Sequence, residues 1–283
     1  MDVTIRPMRI DDIPSGLRLC RLSHWNQLEE DWRAFLESPS GGGRLAERAG
    51  AALGTVAFLR YGPCFSWLSM MLVHPAARRT GIGGCLMNAA LEALAGERCV
   101  RLDATPLGEN LYQQFGFAAE FELARMKITV QEKRPAWVSA NARPMEIANL
   151  ASVFARDRQV FGADRSAVLA SFFQRAPDLA WIVYPGQSPG GYCFGRPGHL
   201  YRQIGPVVAE NATVAQELVA ACLAGMTGET IAMDVPWVAP EWTAWLEASG
   251  FLVERRFLRM YRGERPGCGI AAHQFAMAGP EFG

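Results

Sequence analysis

The stretch LVHPAARRTGIGGCLMNAAL (residues 72–91) carries most of what the sequence says about fold and chemistry. An apolar run ends at Val73, and a short loop then holds Arg78, Arg79, Thr80, Gly81, Gly83 and Gly84. Leu86, Ala90, Leu91 and Leu94 follow on one helical stripe, so the spacing predicts a strand, a tight loop and a helix over 82–95. Small residues let the backbone fold closely, so that successive N–H groups converge on one concavity. The first turn of the helix adds unsatisfied donors and partial positive charge. A pyrophosphate is the natural guest of such a cradle, with Arg78 and Arg79 supplying charge beside it. The plainer alternative is an ordinary strand-to-helix connection with permissive glycines.

Outward from this segment the chain reads as mixed α/β. Upstream, residues 3–6 predict a strand, while 10–21 and 28–37 show helical spacing of apolar residues. GGG at 41–43 reads as the end of that helical region. Residues 44–48 and 51–60 predict two strands joined at Ala49-Gly50, and 65–73 predicts a third that stops before Pro75. Downstream come a strand over 99–104, a short helix over 107–115 and a strand over 117–128.

The order then repeats. Arg6-Pro7-Met8-x-Ile10 recurs as Arg143-Pro144-Met145-x-Ile147, Gly116-Phe117 as Gly250-Phe251, and Arg125-Met126 as Arg259-Met260. RLDATP (101–106) is similar to IAMDVP (231–236), which pairs Asp103 with Asp234. Several anchors in one order at nearly one spacing predict two copies of one fold. The polar run around 131–141 makes the linker, dividing a first domain at 1–130 from a second at 142–283. Copy two predicts helices near 145–157, 165–174, 213–224 and 239–248. Its strands are expected near 180–184, 190–195, 201–209 and 230–235, with another from 251.

A chain of 283 residues suits two domains of ordinary size. Equal numbers of basic and acidic residues, 28 each, give no basic excess for a nucleic-acid partner. Seven scattered cysteines without a CxxC or a Cys/His cluster predict buried thiols in a reducing compartment and no metal site. MDVTIRPMRIDD at residues 1–12 carries charges where a signal peptide needs an apolar core, and no apolar run is long enough for a membrane span. The expectation is a soluble, cytoplasmic protein.

Arg78-x-x-Gly81-x-Gly83, preceded by Val73-x-Pro75 and followed by Leu111-Tyr112-x-x-Phe115-Gly116-Phe117, resembles the GNAT superfamily of acyl-CoA-dependent N-acyltransferases. The resemblance spans about residues 3–128. HWNQ (24–27), EDW (30–32) and RLDATPLGENLY (101–112) also resemble a narrower group of bacterial tandem proteins with a second, GNAT-like domain. This resemblance implies two copies of a mixed, largely antiparallel sheet flanked by helices, with a splayed parallel strand pair at the CoA site. Residues 1–130 would then be catalytic, and 142–283 a degenerate copy with a C-terminal tail.

The resemblance also implies roles. Backbone groups of Leu72 and Val73 would hold the pantetheine arm, and an N–H there would polarise the thioester carbonyl. Backbone amides of Arg79, Thr80, Gly81, Ile82, Gly83 and Gly84 would cradle the pyrophosphate, with the Arg78 side chain beside them. Tyr112 matches the tyrosine that protonates the departing thiolate, and a phenol is a competent donor without ionising first. The alternative is a tyrosine that packs its helix on the sheet.

In relatives the first two helices cover the amine entrance, here around SHWNQLEEDW (23–32). Trp25 and Trp32, seven apart, share a face and either pack on the core or wall a pocket. His24, Trp25, Asn26 and Gln27 are the candidate acceptor-binding residues. Asp31 is the candidate carboxylate for a cationic amine, with ordered water as the alternative base. His74 reads as a turn residue. Asp103 persists as Asp234 in the copy without the loop, which points to structure. VVAENATVAQEL (207–218) has no Arg-x-x-Gly-x-Gly, so copy two is expected to bind no CoA. It would complete the acceptor pocket, mediate association or buttress the first copy.

The leading expectation is an acetyl-CoA-dependent N-acetyltransferase that acts on the primary amine of a small molecule by direct attack in a ternary complex. The alternative is a non-catalytic acyl-CoA-binding or sensor protein on the same fold. No metal, nucleic acid or membrane partner is expected, and a homo-oligomer is allowed.

Overall fold

The computed structural model describes residues 3–131, 141–184, 189–237, 239–265 and 267–283. The expected linker, 131–141, lies outside that description except for its ends, Gln131 and Asn141. Two units result. The first holds Met1–Glu120 and Arg259–Pro266, the second Phe121–Leu258 and Gly267–Gly283. Most of the strand that closes the first copy therefore counts with unit 2, and the end of the matching strand of the second copy, from Arg259, counts with unit 1.

Unit 1 contains β1 (Thr4–Pro7), α1 (Ile13–Leu22), α2 (Glu29–Leu36), β2 (Gly41–Arg48), β3 (Ala51–Arg60), β4 (Ser66–Val73), α3 (Ile82–Ala93), β5 (Cys99–Ala104) and α4 (Glu109–Gln114). β6 (Ala118–Thr129) begins here and runs on in unit 2. The sheet order is β1-β2-β3-β4-β5, antiparallel as far as β4 and parallel from β4 to β5. Pro14 sits in the first turn of α1, where a missing N–H costs nothing. Ile13, Gly16, Leu19 and Cys20 form the buried stripe of α1, and Trp32 and Phe35 that of α2.

Two expectations need correction. The strand expected from 44 starts at Gly41, so Gly41–Gly43 open β2 instead of only ending the helical region. Close packing requires them: a Cβ at Gly41 would collide with the Phe35 carbonyl, and one at Gly42 would come 2.9 Å from the Phe58 ring. The thiols are also not all buried, because Cys85 is exposed on α3.

Unit 2 adds β7 (Arg143–Pro144), α5 (Leu150–Phe161), α6 (Ser166–Arg175), β8 (Trp181–Val183), β9 (Gly191–Arg196), β10 (Arg202–Ala209), α7 (Ala212–Ala224), β11 (Thr230–Pro236), α8 (Pro240–Ala248), β12 (Leu252–Gly263) and β13 (Gln274–Ala276). β12 ends in unit 1. The order is β12-β6-β11-β10-β9-β8-β7, with β13 paired to β10. The helix expected from 145 starts at Leu150, after a short 3-10 turn at Ile147–Asn149 in which the Asn149 side chain accepts the Glu146 N–H at 2.8 Å. Val207, Leu218, Val219, Met233, Trp242 and Phe251 lie in its core.

Candidate active site

Strand β4 prepares the site by leaving its neighbour. Leu72 pairs with Thr55 and Ser69 with Ala57, so two residues, Met70 and Met71, face Val56 alone. This is a bulge, and Met70 takes a left-handed φ of 53° to make it. The Thr55 hydroxyl donates to the Met70 carbonyl at 3.0 Å and holds the kink from β3. On the other side, β4 pairs with β5 only at Ser66↔Val100 and Trp67↔Arg101. Beyond Trp67 the two parallel strands have no further register partners, which leaves backbone groups of β4 free of β5 up to Val73.

The glycine loop follows at once. His74 caps the turn Pro75–Ala77, its Nδ1 accepting the Ala76 N–H at 3.2 Å, so it serves the turn. Thr80 Oγ1 donates to the Ala77 carbonyl at 2.7 Å, and Arg78 Nε donates back to the Val73 carbonyl at 3.2 Å. Arg79 and Gly81 both adopt left-handed φ, 62° and 88°. Gly81 is the N-cap of α3, and the first helical bond runs from Cys85 N–H to the Gly81 carbonyl at 3.1 Å. Helix geometry therefore leaves the Ile82, Gly83 and Gly84 N–H groups without intrahelical acceptors. Arg78, Arg79, Thr80 and Gly81 are exposed, and nothing lies within 4 Å of a Cβ at Gly81. These features fit a pyrophosphate: open space, first-turn donors and two exposed guanidinium groups.

The glycines divide the work. A Cβ at Gly83 would stand 3.3 Å from Leu111, and one at Gly84 3.9 Å from Phe115. Those two positions let α4 approach α3, whereas Gly81 supplies the turn. The approach places Tyr112 on the helix that packs against the start of α3. Its ring lies edge-on to Phe117 at 6.0 Å and is nearly buried. Burial pushes the phenol above its ordinary value, so it holds its proton across the physiological range.

On the side of α1 and α2, Arg21 donates to the Trp25 carbonyl at 3.2 Å and the Gln27 carbonyl at 2.9 Å, which fixes the loop between the helices. His24 is exposed, Trp25 half-buried, and Asn26 and Gln27 buried. Asp31 is fully buried and accepts the Leu28 N–H at 2.8 Å as part of a helix cap. Trp32 is also fully buried and packs against Gly16, so it belongs to the core.

Sequence reading missed the buried arginine pairs. In unit 1, Arg259 grips Asp103 through two bonds of 2.7 and 2.9 Å. In unit 2, Arg125 grips Asp234 at 2.8 and 2.7 Å. The repeated Arg-Met dipeptides and the repeated aspartates were the available signal.

Unit 2 keeps the bulge but not the opening. β10 shifts register between Ile204 and Val207 and pairs with β11 only at Arg202↔Ile231 and Gln203↔Ala232. The space beyond is taken by the chain itself. β13 pairs with β10 at Val207↔Ala276 and Val208↔Gln274, and Met277 N–H donates to the Asp234 carbonyl of β11 at 2.8 Å. A Cβ at Gly205 would collide with the Met277 carbonyl. Arg196 donates to Glu281 at 2.6 Å, Arg165 to the Gly283 carbonyl at 2.7 Å, and Phe282 packs on Phe172.

Among the described residues no helix is long and apolar enough to cross a membrane, and no three His, Cys, Asp or Glu residues gather as metal ligands. Two family models match the chain, each an acetyltransferase (GNAT) domain, over residues 41–119 and 153–275. The chain is 26% identical over 213 residues to the holothin acyltransferase of Pseudoalteromonas sp. (strain SANK 73390), covering 75% of this chain and 71% of that one. A putative acetyltransferase from Pyrococcus horikoshii shares the fold at a TM-score of 0.81 and 22% identity, covering 99% of this chain and 96% of its own. A tandem GNAT protein from the clavulanic acid biosynthesis pathway follows at 0.66 and 15%, covering 92% and 98%. The chain belongs to the GNAT superfamily, as a protein with two GNAT domains in tandem.

Proposed function

We propose that unit 1 transfers an acetyl group from acetyl-CoA to the primary amine of a small molecule, by direct attack within a ternary complex. One observation carries the reading: a glycine loop with free first-turn donors stands beside a strand pair opened by a bulge, and the helix that carries a protonated tyrosine packs on the glycines that start α3. The similarity to a chain named an acyltransferase supports the reaction class.

The loop from Arg79 to Gly84 binds the pyrophosphate through backbone N–H groups, with Arg78 and Arg79 adding charge. Leu72 and Val73 hold the pantetheine arm along the open edge of β4, where an N–H aimed at the carbonyl oxygen stabilises the developing charge. The amine lone pair forms the C–N bond, the C–S bond breaks, and Tyr112 gives its proton to the leaving thiolate. The nitrogen loses its extra proton to water or to a carboxylate, for which Asp31 is the candidate. His24, Trp25, Asn26 and Gln27 contribute to the acceptor entrance. Positioning supplies much of the rate gain, because both reactants sit in one groove.

Thiol release from acetyl-CoA in the presence of a panel of primary amines tests the reading. Amine-dependent release supports transfer. Tight acetyl-CoA binding without release with any amine points instead to a binding or sensor protein.

A further inference from the structure

Among the described residues of unit 1, the Ser69 hydroxyl, like Trp32 Nε1, is a buried polar group without a hydrogen-bond partner. Ser69 is a register partner of Ala57, so the two share a face, and Leu59 shares that face two residues along. That face looks toward α2, because a Cβ at Gly41 would meet both Leu59 and the Phe35 backbone. Trp67 lies two residues before Ser69, with the Arg259 guanidinium 4.7 Å from its ring. Arg259 is held by Asp103, and Arg101 by Glu120 through bonds of 2.7 to 3.1 Å. The Ser69 hydroxyl, buried in a residue 8% exposed, has no hydrogen-bond partner. A buried hydroxyl left unpaired costs stability, and such groups in folded proteins are uncommon.

Its position gives the orphan a use. Ser69 stands beside the bulge, two residues past the last register pair between β4 and β5. It lies four residues before Val73, about 13 Å along an extended strand. A pantetheine arm laid along β4 from the glycine loop spans a comparable length, which brings its thioester to the bulge. We infer that the Ser69 hydroxyl is an acceptor-binding group: it takes a hydrogen bond from the entering amine and points the nitrogen lone pair at the thioester carbon. The inference rests on the acetyl-transfer reading above and assigns Ser69 the choice of a nitrogen nucleophile that carries an N–H.

The test compares Ser69→Ala with the wild type, using acetyl-CoA with hydroxylamine and with a panel of primary amines. Loss of one neutral hydrogen bond to the acceptor predicts kcat/KM for the nitrogen nucleophile lower by about three- to tenfold. Acetyl-CoA affinity by calorimetry should not change, and Tm should stay level or rise because an unpaired hydroxyl has gone. That combination separates an acceptor contact from a structural one, which would lower Tm. Unchanged nucleophile kinetics in an active wild type, or a Tm that falls together with activity, would overturn the inference alone. A wild type that binds acetyl-CoA but releases no thiol with hydroxylamine or any amine would overturn the transfer reading and this inference with it.

Discussion

The Arg259 guanidinium holds both oxygens of the Asp103 carboxylate through Nε and Nη2, and both side chains are withdrawn from solvent. Arg259 comes from β12 of copy two and Asp103 from β5 of copy one, yet both belong to unit 1. Removing one partner leaves an uncompensated buried charge, which costs about 3–5 kcal/mol. Asp103→Ala should therefore lower stability by that order in a urea titration. Replacing both partners by apolar residues of similar volume should cost less. The same pairing predicts that a chain cut after residue 130 lacks part of unit 1 and does not fold as an independent domain, which loss of a cooperative melt would show.

A second prediction concerns the turn into α3. Gly81 holds φ at 88°, and space around its Cβ direction is open. Gly81→Val therefore meets backbone strain and no collision, at about 1–2 kcal/mol for a left-handed L-residue. Relief of that strain would move the Ile82 to Gly84 donors, so acetyl-CoA affinity should fall while unit 2 melts as before. Calorimetric titration with acetyl-CoA measures the first effect and differential scanning the second.

Much of this site was legible because it is local. The loop, the helix it caps and the tyrosine helix lie in continuous stretches whose residue types carry their own geometry. The repeat was legible as well, since Arg125-Met126 and Arg259-Met260 recur in plain sight. What each arginine grips was not, because pairing across about 110 to 155 positions depends on which unit each last strand joins. Gly41–Gly43 misled for a related reason: three glycines look like a break until Phe35 and Phe58 are seen pressing against them. β13 gave no periodic signal in three residues, and the filling of unit 2 by residues 274–283 is a tertiary fact.

A third prediction follows from that filling. Unit 2 has neither the Arg-x-x-Gly-x-Gly loop nor an open strand pair, since β13 and residues 277–283 occupy the place. Acetyl-CoA should bind once per chain. A titration that gives two sites per chain would show that residues 274–283 leave their groove and that a loop without this motif can hold a pyrophosphate.

The last prediction concerns Tyr112. Burial raises its pKa, so the folded chain keeps the phenol neutral where an unfolded chain would begin to ionise, near pH 10. The sign follows: this group withdraws stability only as pH rises past that value, and below it the donor is always charged with its proton. Tyr112→Phe keeps the ring against Phe117 and removes only the hydroxyl, so acetyl-CoA affinity and Tm should hold. Turnover should fall by about 10²–10⁴-fold where departure of the thiolate limits the rate. Because the wild-type phenol does not titrate between about pH 6 and 9, the ratio of wild-type to Tyr112→Phe turnover should stay level across that range. A ratio that closes as pH rises would mean that Tyr112 ionises in the working enzyme and acts as something other than the acid. A ratio near one throughout would assign the tyrosine to packing alone.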